Sequence, residues 1–220
     1  MSKNVHQKSD EFYEYLNNHS IRKPESLDAL LNETQNTPNP MMATTHEQGQ
    51  LLSFLIKSIG AKRAIEVGTF TGVGALWMAE ALGVDGHLVA CEVKQEFIDI
   101  AQSHWEKAGV DKNIEVRLAP ALETLDALLD EGQAGSYDFC YIDAVKLEYD
   151  QYYEKCLQLI RSGGIIALDN MFLGGNVLKK ESKGPPAIAI SSLNSKLKDD
   201  DRVDNSMLSI GDGLHLARKR

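Results

Sequence analysis

Between Arg63 and Gly74 the chain reads RAIEVGTFTGVG. A short apolar run of Ala64, Ile65 and Val67 leads into glycines at 68, 72 and 74, and then into the helical pattern Val73 to Leu82. This order predicts a buried strand, a tight turn and a helix. Glycines at such a turn take positive φ and let the backbone approach a ligand closely, while the N-terminus of the next helix offers free N–H groups. The turn is therefore the expected seat of a cofactor, although many α/β proteins bind nothing at such a turn.

Downstream the same alternation recurs. Strands are expected at 87–93, 114–119, 137–143 and 164–169, with helices at about 95–108, 121–131, 150–161 and 186–198. Strands alternating with helices imply a doubly wound, mostly parallel α/β sheet. Two closing runs, 205–210 and 214–217, flank Gly211-Asp212-Gly213 and predict a terminal antiparallel hairpin, which completes a seven-stranded sheet. No repeat or linker divides the chain, so residues 1–220 are expected to form one domain.

The N-terminal part, residues 1–40, predicts two short helices packed on that domain, on apolar spacings such as Phe12, Tyr15, Leu16 and Leu27, Leu30, Leu31. The stretch Thr37 to Pro40 ends them, and Thr44 with Glu47 matches a capping box ahead of the next helix. Thr44 is thus either an N-cap or a residue facing the cofactor.

Composition narrows the function. A net charge of −9 argues against a nucleic-acid partner and favours a small-molecule substrate. No apolar stretch reaches membrane-spanning length and no basic-then-apolar leader opens the chain, so a cytoplasmic protein with no membrane partner is expected. Cys91, Cys140 and Cys156 lack paired metal spacing and are expected as reduced core residues, and the six histidines have no partner at ligand spacing. The run Asp199 to Asp201 is expected as a solvated turn after a helix.

Two sets of strand-end residues carry the chemistry. The glycine spacing is G-x-x-x-G-x-G, which differs from the dinucleotide fingerprint and lacks a phosphate-loop ending. Glu66 precedes the first glycine and Glu92 ends the next strand, where a carboxylate accepts hydrogen bonds from ribose hydroxyls. Two acids also suit a cationic cofactor such as a sulfonium, and the ligand inferred is S-adenosylmethionine. Solvated strand ends are the competing account of both glutamates. Asp143 and Asp169-Asn170 end two later strands. If those strands are neighbours, two carboxylates and an amide oxygen converge as hard donors suited to Mg²⁺. Lys146, three residues after Asp143, is either an exposed loop lysine or a base close to that cation.

Taken together these residues resemble the cation-dependent O-methyltransferases, the family of catechol and caffeoyl-CoA O-methyltransferases. The likeness runs from about Met41 to the C-terminus and is strongest in EVGTFTG (66–72), ACEV (90–93), APAL (119–122), YIDAVKLEY (141–149), GGIIALDN (163–170) and GDGL (211–214). The resemblance implies a Rossmann-like methyltransferase fold and a homodimer. It implies that Glu66, Gly68, Thr69 and Gly74 line the methionine end of S-adenosylmethionine, and that Glu92 and Val93 meet the ribose. Ala121 would lie by the adenine, and Met42 and Thr44 would close the pocket. Asp143, also beside the cofactor, would hold the metal with Asp169 and Asn170, and Lys146 would be the catalytic base. The implied substrate is a small aromatic compound with vicinal hydroxyls.

Four departures from the family pattern stand out. Val145 occupies the place of a second acid, Gly74 that of a common serine, and Met171-Phe172-Leu173 that of a tryptophan-containing segment expected here to form an apolar wall. The segment 173–187 is also short. Lys179, Lys180 and Lys183 are read as a solvated cluster, with a polyanionic acceptor as the alternative. Two other functions remain open: a nucleotide-dependent oxidoreductase, which the glycine spacing opposes, and a binding protein for S-adenosylmethionine without turnover.

Overall fold

A computed structural model describes residues 10–181 and 183–220; the first nine residues, with His6 and the start of the predicted N-terminal helical region, lie outside the described residues. Helices α1 (Asp10–Ser20), α2 (Leu27–Thr34) and α3 (His46–Ser58) precede the first strand. Alternation then runs β1 (Arg63–Val67), α4 (Val73–Leu82), β2 (His87–Glu92), α5 (Gln95–Ala108), β3 (Ile114–Leu118), α6 (Ala121–Asp130) and β4 (Tyr137–Ile142). It continues through α7 (Tyr149–Leu159), β5 (Ile160–Leu168) and α8 (Pro185–Asp199) to the hairpin β6 (Val203–Leu208) and β7 (Leu214–Lys219).

The strands form one seven-stranded sheet in the order β3-β2-β1-β4-β5-β7-β6. The first five are parallel, and β7 inserts antiparallel between β5 and β6. Strand order reverses between β1 and β4, where open α/β sheets bind their ligands. Register makes that edge level. Val67 pairs with Cys91 on one side and Ile142 on the other, and Ile142 pairs with Leu168. Gly68, Asp143 and Asp169, each the next residue along, therefore leave the sheet together, level with Glu92, the last residue of β2.

Both faces are covered, which is why β1, β2 and β4 are apolar runs without strict alternation. Leu52, Ile56, Leu76 and Trp105 pack one face; Leu125, Tyr153, Cys156 and Leu193 pack the other. Helix α4 is buried at every position except Glu80, consistent with its uniformly apolar sequence. All three cysteines are free and buried, as expected from their apolar contexts.

Some boundaries differ from expectation. Strand β5 begins at Ile160 because Tyr137 pairs with it before a register shift, and Gly163 at φ 79° lets the strand turn back into line. Residues Ser209 and Ile210 belong to the hairpin turn and not to a strand. Asp200 is no solvated turn residue: its side chain is 5% exposed, and its carboxylate accepts from the Arg202 guanidinium and the Tyr153 hydroxyl. The Arg202 hydrogen bond holds Asp200 far below the usual carboxylate range.

His215 on β7 is buried, its Nδ1 3.4 Å from Asn194 Oδ1, and burial lowers its pKa to about 4. A folded-state pKa below the unfolded value of about 6.5 means that the unfolded chain binds the proton first. Its contribution to stability is complete above pH 6.5 and falls as pH drops toward 4. The expected loss from this residue is about 2 kcal/mol between pH 7.5 and 5. Denaturant midpoints at the two pH values, compared with His215→Gln, check it; an identical pH slope in the variant would refute the assignment.

Candidate active site

A cavity of about 700 Å³ opens at the levelled edge of the sheet. Every residue expected from the sequence to bind the cofactor or metal, and Lys146, lines it. From β1 and the turn after it come Glu66, Gly68 and Thr69, and from the first turn of α4, Gly74; from the end of β2, Glu92 and Val93; from the start of α6, Ala121. The β4 and β5 ends contribute Asp143, Lys146, Asp169 and Asn170, and the loop before α3 contributes Met42 and Thr44.

The glycine turn brings β1 close to β4. Gly68 has φ 93°, and a Cβ there would lie 2.1 Å from the Asp143 carbonyl oxygen. Gly74 leaves room for a carboxylate, since a Cβ would lie 2.2 Å from Glu66 Oε1. Glu66 is buried, and burial raises its pKa well above the carboxylate range, with the charges of Asp143 and Glu92 adding to the effect. Glu66 Oε2 and Thr69 Oγ1 are buried without a partner of hydrogen-bonding geometry among the described residues. Unpaired buried acceptors cost free energy unless a ligand meets them.

Glu92 is held differently. Its Oε2 accepts from Phe70 N at 2.7 Å, and its Oε1 from Val93 N at 2.8 Å and Lys94 N at 3.0 Å. Three backbone donors fix the carboxylate at the cavity wall. Neither glutamate is a solvated strand end.

On the β4 and β5 side, Asp169 is buried, with Oδ1 accepting from Gln48 Nε2 at 2.7 Å and Asn170 N at 2.6 Å, and Oδ2 from the Tyr141 hydroxyl at 3.0 Å. Burial, with the nearby charge of Asp143, pushes its pKa up to about 6. A buried carboxylate whose ionisation a neighbouring carboxylate makes costlier is the arrangement a cation relieves. Among the described residues no group of three or more His, Cys, Asp or Glu side chains could hold a metal, so a cation here would draw on two carboxylates and the Asn170 amide. Lys146 is no free loop lysine. Its Nζ donates to Asp143 Oδ1 at 2.8 Å and to the Tyr149 hydroxyl at 2.6 Å.

Several expectations are corrected. The N-cap of α3 is Thr45, whose Oγ1 accepts from Gln48 N at 3.4 Å, so Thr44 and Glu47 form no capping box. Thr44 is left to line the cavity beside Gly74. The shift by one residue also hid Gln48, which the T-x-x-Q spacing would have marked. Met171, Phe172 and Leu173 form no wall of the cavity: Met171 is fully buried in the core and Phe172 packs over Gly213. Lys179 and Lys180 are exposed and lie outside the lining, but Lys183 is half-buried and its Nζ donates to Ser191 Oγ at 2.9 Å, so the solvated cluster is limited to the first two. Tyr141, Tyr149 and Asp212 were missed; the first two look like core aromatics in sequence.

No described helix is long and apolar enough to cross a membrane. A family described as O-methyltransferase matches residues 17–220. A probable caffeoyl-CoA O-methyltransferase 2 of Dictyostelium discoideum is 43% identical, covering 84% of this chain and 80% of that protein. The catechol O-methyltransferase domain-containing protein 1 of Mus musculus is 40% identical, covering 94% and 79%. The crystal structure of the O-methyltransferase TomG from Streptomyces achromogenes, in complex with SAM, superposes with a TM-score of 0.84 at 28% identity, covering 93% of this chain and 94% of that one. With the doubly wound sheet, the cavity at its reversal point and these likenesses together, the chain belongs to the O-methyltransferase family.

Proposed function

We propose that this protein transfers a methyl group from S-adenosylmethionine to one hydroxyl of a small aromatic acceptor with vicinal hydroxyls, assisted by a divalent cation such as Mg²⁺. The acceptor is a catechol or a hydroxycinnamoyl group, carried free or as a CoA thioester. The observation that carries this reading is the single cavity between two buried glutamates and the Asp143, Asp169 and Asn170 set. The SAM bound to TomG supports the choice of methyl donor. The same reading takes the chain as one domain working as a cytoplasmic homodimer.

In this reading Glu92, rigid on three backbone donors, accepts the ribose hydroxyls, with Val93 beside them and Ala121 by the adenine. Glu66 and Thr69 offer their unpaired oxygens to the methionine end, next to Gly68 and Gly74. Met42 and Thr44 cover the pocket. Asp143, Asp169 and Asn170 hold the cation, which when bound lowers the cost of an acceptor oxyanion. Lys146, in its neutral amine form, takes the acceptor's hydroxyl proton at Nζ and becomes the ammonium that Asp143 pairs with. Tyr149, kept protonated by burial, fixes Nζ beside Asp143. Holding donor and acceptor on facing walls supplies the proximity part of the rate.

The test is methyl transfer from labelled S-adenosylmethionine to a panel of catechols and caffeoyl thioesters, with Mg²⁺ and with EDTA. Product that disappears with EDTA is expected. Cofactor binding in calorimetry with no metal-dependent product from any acceptor would favour a binding protein without turnover, on the side of the acid missing at Val145. For Lys146→Ala, kcat should fall about 10²- to 10⁴-fold while cofactor affinity stays within about threefold. Unchanged kcat would remove Lys146 from the mechanism.

A further inference from the structure

The Gly211-Asp212-Gly213 turn joins β6 to β7, yet most of its polar contacts go to the segment that follows β5. Gly213 O accepts from Met171 N at 2.9 Å and Asp212 O from Phe172 N at 2.9 Å. The Asp212 carboxylate accepts from Gly174 N with both oxygens, at 2.8 and 2.9 Å. Contact is close on either side of Asp212: a Cβ on Gly213 would lie 2.7 Å from the Phe172 ring, and one on Gly211 2.7 Å from Gln48 Oε1. Gln48 is the residue whose Nε2 holds Asp169. From α8, Asn194 Nδ2 donates to Met171 O at 2.9 Å.

Asn170 lies immediately before this clamped segment, with φ 56°, and Leu173 within it has φ 47°. Left-handed conformations at residues other than glycine persist where the surroundings over-determine them. Here the surroundings are the hairpin turn on one side and α8 on the other. Gly211 and Asp212 also line the cavity.

We propose that the 211–213 turn, acting through Asp212, sets the position of Asn170 beside Asp169, which makes Asp212 a positioning residue of the divalent-cation site. The proposal rests on the reading of Asp143, Asp169 and Asn170 as the cation donors. Asp212 ties down the Gly174 amide and so fixes the path of the chain from Asn170 onward. Partners that orient ligating side chains are worth about 10- to 100-fold in metal affinity.

The experiment is Mn²⁺ binding to the full chain, followed by electron paramagnetic resonance in the presence of S-adenosylmethionine. Calorimetry gives cofactor affinity and denaturant unfolding gives stability for each protein. Asp212→Ala is expected to weaken Mn²⁺ binding about 10- to 100-fold, with cofactor affinity within about twofold of the parent. Asp212→Asn is expected to recover most of the Mn²⁺ affinity, because its amide oxygen still accepts from Gly174 N. Asp169→Asn, the donor control, should lose Mn²⁺ binding. Parent-like Mn²⁺ binding in Asp212→Ala, with the donor control behaving as expected, would overturn the positioning role alone. So would equal losses of Mn²⁺ and cofactor affinity with a lowered unfolding midpoint, or no recovery in Asp212→Asn, which would indicate a charge effect. A parent that binds no Mn²⁺ would overturn the cation site and this proposal together.

Discussion

Asp169→Asn is expected to lower metal-dependent methyl transfer by about 10²- to 10³-fold, the rate equivalent of the several kcal/mol a Lewis acid supplies. Cofactor affinity should be nearly unchanged, because Glu66 and Glu92 stand on the other side of the switch point. Asparagine suits this test better than alanine. Its amide oxygen still accepts from Gln48 Nε2 and Asn170 N, and its amide nitrogen can donate to the Tyr141 oxygen, so only the Tyr141 hydroxyl proton loses its acceptor. The sign of the stability effect follows from the pKa. Burial raises Asp169 to about 6, so its ionised form disfavours the folded state, a penalty absent below the unfolded value near 3.8 and complete above pH 6. The metal-free variant should therefore melt no lower than the parent at pH 8. Turnover with and without Mg²⁺, calorimetry and a melting curve check the three parts. Loss of cofactor binding along with turnover would mean that the substitution acts through the fold.

Gly68→Ala should be among the most damaging single changes in the chain, with an expected cost of about 3–5 kcal/mol and loss of cofactor binding. Two causes add. The residue has φ 93°, where an L side chain is strained, and the added methyl would sit 2.1 Å from the Asp143 carbonyl oxygen. That oxygen is backbone and not the far end of a flexible side chain, and it belongs to the β4 end that Asp143 N holds to Val67 O at 2.9 Å. Relief would require parting β1 from β4 where the site converges. Gly74→Ser gives the contrast. Its nearest clash, 2.2 Å, is with Glu66 Oε1, the far end of a flexible side chain. It should cost only about 1 kcal/mol while displacing the carboxylate and weakening cofactor affinity. Denaturant midpoints of the two variants test the ranking; similar values would mean that the β1–β4 contact yields more easily than its geometry implies.

Local chemistry was legible in the sequence wherever it depends on neighbours along the chain. The apolar run before Gly68, the glycines that follow and the acids that end later strands all declare themselves within a few residues. Among the local signals misjudged was the cap of α3, where Thr44 and Thr45 compete and both have an acid or amide three residues on. Segments without periodicity were harder. Met171 to Leu173 carry apolar side chains that sequence alone assigns equally well to a wall or to the core, and the structure puts Met171 in the core.

By itself, then, the sequence determined the α/β alternation, the strand-end positions of Glu66, Glu92, Asp143 and Asp169, and the family resemblance. The tertiary structure alone decided which of those ends meet and what holds them. Their meeting depends on strand order and register: β4 returns beside β1, and Val67, Cys91, Ile142 and Leu168 come level. Their supports come from far away, as with Gln48, 121 residues from Asp169, and the Asp212 turn. Helix and strand periodicities arise from short-range geometry that a sequence displays directly. Hydrogen bonds between residues so distant along the chain leave no such period, and they exist only once the sheet has brought their ends together.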